Sequence, residues 1–164
     1  MARKLKRILL LEDVESNANL IRFALEEIAD FEVTHARDAA DAIESFKAAA
    51  FDLCLFDHLM PGMTGLDAML AIRDTPSGRD VPVVFLTARS DICNWKKLKA
   101  SGAQAVIAKP FDIMLLGSML LDVFHACDGC ETRGGVENVS TPSWAEAPSR
   151  SALARRMIRE SQRG

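Results

Sequence analysis

The feature that most constrains this chain is a regular alternation of short apolar runs with longer segments whose apolar residues recur at helical spacing. The apolar runs predict five strands, at 8–11, 31–34, 53–56, 81–86 and 105–108. The helical patterns predict five helices, at 15–30, 38–50, 66–73, 91–100 and 112–125. Short runs that are wholly apolar are typical of strands buried on both faces of a parallel sheet. We therefore expect an α/β fold with a parallel sheet covered by helices.

Polar side chains follow four of the predicted strands. Glu12 and Asp13 come after the first strand, Asp57 after the third, Thr87 after the fourth and Lys109 after the fifth. The carboxyl ends of parallel strands share one edge of the sheet, and ligands bind at that edge. The sequence therefore predicts that three carboxylates, a hydroxyl and an ammonium group converge there.

This combination of groups is suited to phosphoryl transfer. Three neighbouring carboxylates repel one another unless a cation neutralises them. Oxygen ligands select a hard cation, and Mg²⁺ suits a site of one or two carboxylates, water and a phosphate. Lys109 and Thr87 are donors for the remaining phosphoryl oxygens. An aspartate in such a site can act as the nucleophile and form an acyl phosphate.

Four short motifs lie in register with the predicted strand ends. They read LLED at 10–13, LFDHLMPGMTG at 55–65, FLTA at 85–88 and AKPF at 108–111. Each motif alone is a weak signal, but the four occur in order within one alternating pattern. Together they make residues 5–125 resemble the receiver domain of bacterial two-component response regulators.

The resemblance implies a flavodoxin-like, doubly wound five-stranded sheet in the order 2-1-3-4-5, with Asp57 as the phosphoacceptor. It implies that Thr87 moves toward the phosphoryl group, that Lys109 bridges to it, and that the Lys109–Pro110 peptide bond is cis. It assigns the magnesium ligands to Glu12, Asp13, Asp57 and the backbone carbonyl of Leu59.

The chain departs from the family pattern in three places. The family usually has Tyr or Phe three residues before the lysine, where this chain has Val106, and the chain contains no Tyr. His58 follows the phosphoacceptor and is expected to point away from the site. Trp95 lies in an unusually lysine-rich fourth helix and either packs on the fifth strand or is an exposed anchor for a partner.

The segment 126–164 differs from the rest in composition. Gly, Ser and Pro predict a linker, followed by a short basic helix or a disordered tail over residues 151–163. Such a helix would pack on a partner or on a second copy, and binding to nucleic acid is a weaker alternative. Cys127 and Cys130 form a C-x-x-C pair, which is either half of a zinc or redox site or two ordinary reduced thiols.

Composition excludes several classes of protein. The chain has 164 residues, 49% of them hydrophobic, and a net charge of −3. It lacks the strongly basic balance of a nucleic-acid-coating protein and the polar composition of a disordered one. No apolar run is long enough to span a membrane, and the run after the basic N-terminus is too short for a secretory signal. We expect a cytoplasmic protein.

The sequence favours a stand-alone receiver that takes a phosphoryl group from a histidine kinase or histidine phosphotransfer protein and then signals by protein contact to an unidentified target. It would act as a switch and not as a metabolic enzyme, and both a monomer and a homodimer remain open. One alternative is an aspartate phosphatase, which is disfavoured because Leu59 stands where a second acid is needed. The other is a pseudo-receiver that binds partners without phosphorylation, an alternative motivated by Val106.

Overall fold

A computed structural model describes residues 3–88 and 92–128 of the chain. Its strands are β1 (Arg7–Leu11), β2 (Glu32–Ala36), β3 (Leu53–Asp57), β4 (Val83–Ala88) and β5 (Ala105–Lys109). All pairs are parallel, and the order across the sheet is β2-β1-β3-β4-β5. The predicted fold class and strand order are thereby confirmed.

One α-helix follows each strand. The helices are α1 (Glu15–Phe23), α2 (Ala39–Ala48), α3 (Gly65–Arg73), α4 (Ile92–Ala100) and α5 (Leu116–Asp128). A π-helical segment, Ala24–Ile28, continues α1, and a 3₁₀ turn, Ile113–Leu115, precedes α5. None of the helices in the described ranges has the length and apolar character needed to cross a bilayer.

Successive residues along a strand point alternately into two separate core layers. Leu9, Cys54 and Phe85 point into the layer that also contains buried residues of α2, α3 and α4. Leu10 and Leu55 point into the layer formed with α1 and α5. The sheet is thus buried on both faces, which is why its strands are apolar at consecutive positions.

Side-chain caps fix the beginnings of α2 and α3. The Asp38 carboxylate accepts a hydrogen bond from the Asp41 backbone N–H at 2.8 Å, and Thr64 and Asp67 form a reciprocal capping box at the start of α3. The Asp112 carboxylate also caps, accepting from the Met114 N–H at 2.9 Å. Its cap begins the 3₁₀ turn, however, so α5 itself starts only at Leu116.

Some predicted boundaries are wrong by a few residues. The first helix does not continue as α-helix to residue 30, because it passes into the π-helical segment after Phe23. The last helix runs to Asp128 and not to 125, because Cys127 still packs against the core. Cys130 and the tail from 129 lie outside the described residues.

Candidate functional site

Three carboxylates converge at the carboxyl edge of the sheet. Glu12 and Asp13 lie just past β1, and Asp57 is the last residue of β3, the central strand. One carboxylate oxygen from each residue lies within 4.8 Å of the others. Because β1 and β3 are neighbours in register, the strand pairing itself brings these acids together.

Lys109 is the counter-charge of this cluster. It ends β5 and extends past β4, so that its Nζ lies 3.0 Å from Asp57 Oδ2. The same Nζ lies 3.6 Å from Glu12 Oε2. One ammonium group therefore offsets part of the charge of two carboxylates, and the cluster retains a net negative charge that favours a bound cation. The Lys109–Pro110 bond is cis, as predicted.

Glu12 is fully buried, which is unusual for an acidic residue. Burial raises the pKa of its carboxyl group, and the neighbouring Asp57 charge raises it further, while Lys109 acts in the opposite direction. Oε1 accepts a hydrogen bond from the Val14 N–H at 3.2 Å. Oε2 has no hydrogen-bond partner among the described residues. A buried carboxylate oxygen without a donor, beside two further carboxylates, fits a cation.

Thr87 presents a second buried polar atom at this edge. The residue is almost completely buried at the end of β4, and its Oγ1 has no hydrogen-bond partner within the part of the chain that the structure describes. Leaving a buried hydroxyl unpaired is unfavourable by about 1–3 kcal/mol. A ligand oxygen bound between Asp57 and Lys109 would offer the missing partner.

The backbone around Asp57 is held from two sides. The Leu59 N–H donates to Asp57 Oδ1 at 3.3 Å. On the other side, Gly65 at the start of α3 packs so closely that a Cβ atom there would overlap the Asp57 carbonyl oxygen. This role of Gly65 was not predicted from the sequence, although the Thr64-x-x-Asp67 capping pattern marks the helix start beside it.

The three departures from the family pattern all lie in the layer under α3 and α4. His58 is buried with its ring edge-on to Phe85, at a centroid distance of 6.0 Å, so it points away from the site as expected. Val106 is buried opposite Phe85 on the neighbouring strand. Trp95 packs against the same layer and its Nε1 is buried, which favours the packing interpretation over an exposed anchor.

Fold and site together define a class: a doubly wound α/β domain with an acidic cluster, a hydroxyl and a lysine at the carboxyl edge of its sheet. The family model of the response regulator receiver domain matches residues 8–121. The chain belongs to this family. Receiver domains are phosphoaccepting switches of two-component phosphorelay signalling and interact with histidine kinases or phosphotransfer proteins.

Two curated relatives illustrate the range of proteins that contain such a domain. The response regulator PleD of Caulobacter vibrioides is 33% identical over 110 residues, which cover 67% of this chain and 24% of PleD. The chain thus spans about a quarter of the length of that relative. The chemotaxis protein CheY of Pseudomonas aeruginosa is 25% identical over 123 residues, covering 75% of this chain and 99% of CheY.

Solved structures agree with the fold. The chemotaxis response regulator CheY4 of Vibrio cholerae superposes with a TM-score of 0.68 at 28% identity, covering 73% of this chain and 99% of CheY4. The receiver domain of the sensor histidine kinase PA1611 of Pseudomonas aeruginosa superposes with a TM-score of 0.64 at 28% identity, covering 77% and 99% of the two chains. That structure holds a magnesium ion in its active site cleft.

Proposed function

We propose that this chain is a stand-alone phosphorylation switch in which Asp57 accepts a phosphoryl group from a histidine kinase or histidine phosphotransfer protein. The receiver spans residues 5–125. The observation that carries the proposal is the position of Asp57, on the central strand between the Lys109 ammonium at 3.0 Å and the acidic pair after β1. A carboxylate so placed is oriented by the Lys109 ammonium and the Leu59 N–H at the edge of the sheet where ligands of such folds bind.

In the transfer step an Asp57 carboxylate oxygen attacks phosphorus. A bond forms between that oxygen and phosphorus, the bond from phosphorus to the donor imidazole nitrogen breaks, and the nitrogen keeps the electron pair. Lys109, already paired with Asp57, shifts its donors toward a phosphoryl oxygen as charge moves onto the phosphoryl group. Thr87 Oγ1 then donates to another phosphoryl oxygen and gains the partner that it lacks in the described structure.

The donor set fits Mg²⁺. The ligands would be one carboxylate oxygen each from Glu12, Asp13 and Asp57 together with the backbone carbonyl of Leu59. A bound Mg²⁺ supplies electrostatic stabilisation of the transferring phosphoryl group. The magnesium ion in the PA1611 receiver structure supports this assignment.

The phosphorylated protein would act by binding a downstream protein, in the cytoplasm, as a monomer or homodimer. The pseudo-receiver alternative draws on Val106, which occupies the position of the usual switch aromatic. Against it stands the intact set of acids, hydroxyl and lysine at the sheet edge. Formation of an acyl phosphate separates the two functions.

The test is the intact mass of the protein after incubation with a small phosphoryl donor and Mg²⁺. We expect the parent to gain one phosphoryl group and the Asp57→Asn variant to gain none. Asp122→Asn is the matched control, because Asp122 is exposed on α5 and is not part of the acidic cluster. This variant should be phosphorylated like the parent.

Failure of the parent to react would call for a second donor, a protein phosphorylated on histidine. Transfer from that donor alone would keep the phosphorelay function. No transfer from either donor to a folded parent would contradict the proposal and favour the pseudo-receiver.

A further inference from the structure

The backbone just after β1 carries two of the three carboxylates of the acidic cluster, those of Glu12 and Asp13. The Glu12 side chain is buried, and its Oε1 accepts from the Val14 N–H. Asp13 is exposed, and no group among the described residues donates a hydrogen bond to its carboxylate. The position of the Asp13 carboxylate in the cluster therefore depends on the backbone that carries it.

The end of β2 holds this backbone through both hydrogen-bonding groups of Glu12. The Glu12 N–H donates to the Ala36 carbonyl oxygen at 3.2 Å, at the end of the paired segment of β1 and β2. The Glu12 carbonyl oxygen lies 2.9 Å from Nε2 of His35. A carbonyl oxygen can only accept, so Nε2 carries the hydrogen and donates it. Two successive residues of β2 thus fix the peptide groups on both sides of Glu12.

The hydrogen bond from His35 also orients Asp13. The Glu12 carbonyl belongs to the planar peptide group that ends at the Cα atom of Asp13. A hydrogen bond to that oxygen therefore fixes the plane from whose end the Asp13 side chain projects. His35 is half-buried on β2, and it acts on the cluster from outside, through the backbone of the acidic pair.

We propose that His35 is a positioning residue for the magnesium site and acts through the Glu12–Asp13 peptide group. The proposal rests on the function proposed above, in which Glu12 and Asp13 each give one carboxylate oxygen to Mg²⁺. Mg²⁺ demands near-ideal octahedral geometry, so a carboxylate displaced by rotation of its peptide group binds the ion less well. Hydrogen bonds that orient metal ligands typically contribute roughly 10–100-fold to metal affinity.

The test is the Kd for Mg²⁺, measured by isothermal titration calorimetry on the full-length protein without a phosphoryl donor. We expect His35→Asn to raise the Kd about tenfold, because the asparagine amide is too short to reach the Glu12 carbonyl. His35→Gln should keep a Kd close to that of the parent, because the glutamine amide nitrogen can take the place of Nε2 and donate. Both introduced side chains are uncharged amides, so the two variants differ in reach alone.

Thr34→Asn is the matched control for His35→Asn. Thr34 is the neighbour of His35 in β2, is exposed, and lies on the opposite face of the strand. The control places the same residue in the same strand, where asparagine is unfavourable, so both variants should lower the free energy of unfolding. Only His35→Asn should weaken Mg²⁺ binding. Urea unfolding without Mg²⁺ measures the effect on stability separately from the Kd.

A parent-like Kd in His35→Asn would overturn the proposal. Equally weakened binding in His35→Gln and His35→Asn would also overturn it, since the loss would not follow the donor. Because the titration contains no phosphoryl donor, failure of Asp57 to accept a phosphoryl group does not affect the result. A parent that binds no Mg²⁺ would instead contradict the assignment of the magnesium ligands and, with it, the role of His35.

Discussion

Burial in the acidic site disfavours the ionised form of Glu12. Its carboxyl group is fully buried, and burial together with the Asp57 charge raises its pKa above the ordinary value of 4.5. The folded state therefore holds the proton more tightly than the unfolded state does. Because of Glu12, the free energy of unfolding therefore decreases as pH rises from about the pKa of Glu12 in the unfolded state through its higher pKa in the folded state.

We predict that Glu12→Gln raises the free energy of unfolding at pH 7 without Mg²⁺, by roughly 1 kcal/mol, because it removes a buried charge that Lys109 offsets only in part. The gain should disappear below the unfolded pKa, where Glu12 is protonated in both states. Urea unfolding of parent and variant at pH 7 and at pH 4 measures both values.

The change in stability on adding Mg²⁺ tests whether Glu12 is a metal ligand. The parent should gain stability as Mg²⁺ is added, because a ligand that binds only the folded state stabilises it by mass action. Glu12→Gln should lose most of that gain. Glu44→Gln is the control, since Glu44 makes only an exposed ion pair with Lys47 at 3.7 Å. Equal Mg²⁺ stabilisation in Glu12→Gln and the parent would contradict the ligand role.

At the scale of elements, the junction between β3 and α3 fixes the phosphoacceptor strand. The Thr64–Asp67 capping box starts α3, and Gly65 lies directly against the Asp57 backbone. A helix can approach a strand this closely only where no Cβ intervenes. The position of Asp57 thus depends on an element eight residues further along the chain.

We predict that Gly65→Ala destabilises the protein by about 2 kcal/mol and slows phosphorylation of Asp57, because the new methyl group pushes on the Asp57 carbonyl. Denaturant unfolding and the rate of phosphoryl gain by mass measure the two effects.

Gly117→Ala is the matched control for Gly65→Ala. Its Cβ would crowd the Ala29 side chain, in the α1–α5 layer away from the Asp57 backbone. It should lower stability without slowing phosphorylation of the folded fraction. If both variants slowed phosphorylation equally, the specific effect assigned to Gly65 would be wrong.

At the scale of the whole molecule, Cys54 reports on the exposure of β3, the central strand that lies between the two core layers. It lies inside β3, fully buried, and burial raises the pKa of its thiol to about 12. The reactive thiolate is therefore almost absent at neutral pH in the folded state. Cys54 is part of the core layer formed with α2, α3 and α4.

We predict that a thiol reagent modifies Cys54 only when the whole domain unfolds, because the residue lies in the central strand of a sheet covered on both faces. Its labelling rate should increase with urea in parallel with global unfolding. Peptide mapping separates Cys54 from the half-buried Cys127. Fast labelling in native buffer, independent of urea, would contradict a single cooperative core.

The sequence by itself determined the order of elements and the parallel sheet, and it predicted that Glu12, Asp57, Thr87 and Lys109 converge at one edge of that sheet. It could do so because strands buried on both faces are apolar runs, and the polar residue that ends each run lies at one known edge. The resemblance supplied the strand order, which local periodicity does not encode.

The tertiary structure alone decided the contacts between distant segments. It placed Lys109 at 3.0 Å from Asp57, left Glu12 Oε2 and Thr87 Oγ1 buried without hydrogen-bond partners among the described residues, and packed Gly65 on the Asp57 backbone. It also decided where helices end: α5 continues to Asp128, beyond the predicted end at residue 125, because Cys127 still packs against the core. Burial and electrostatic coupling arise only when segments far apart in the chain meet, and for that reason no local pattern could specify them.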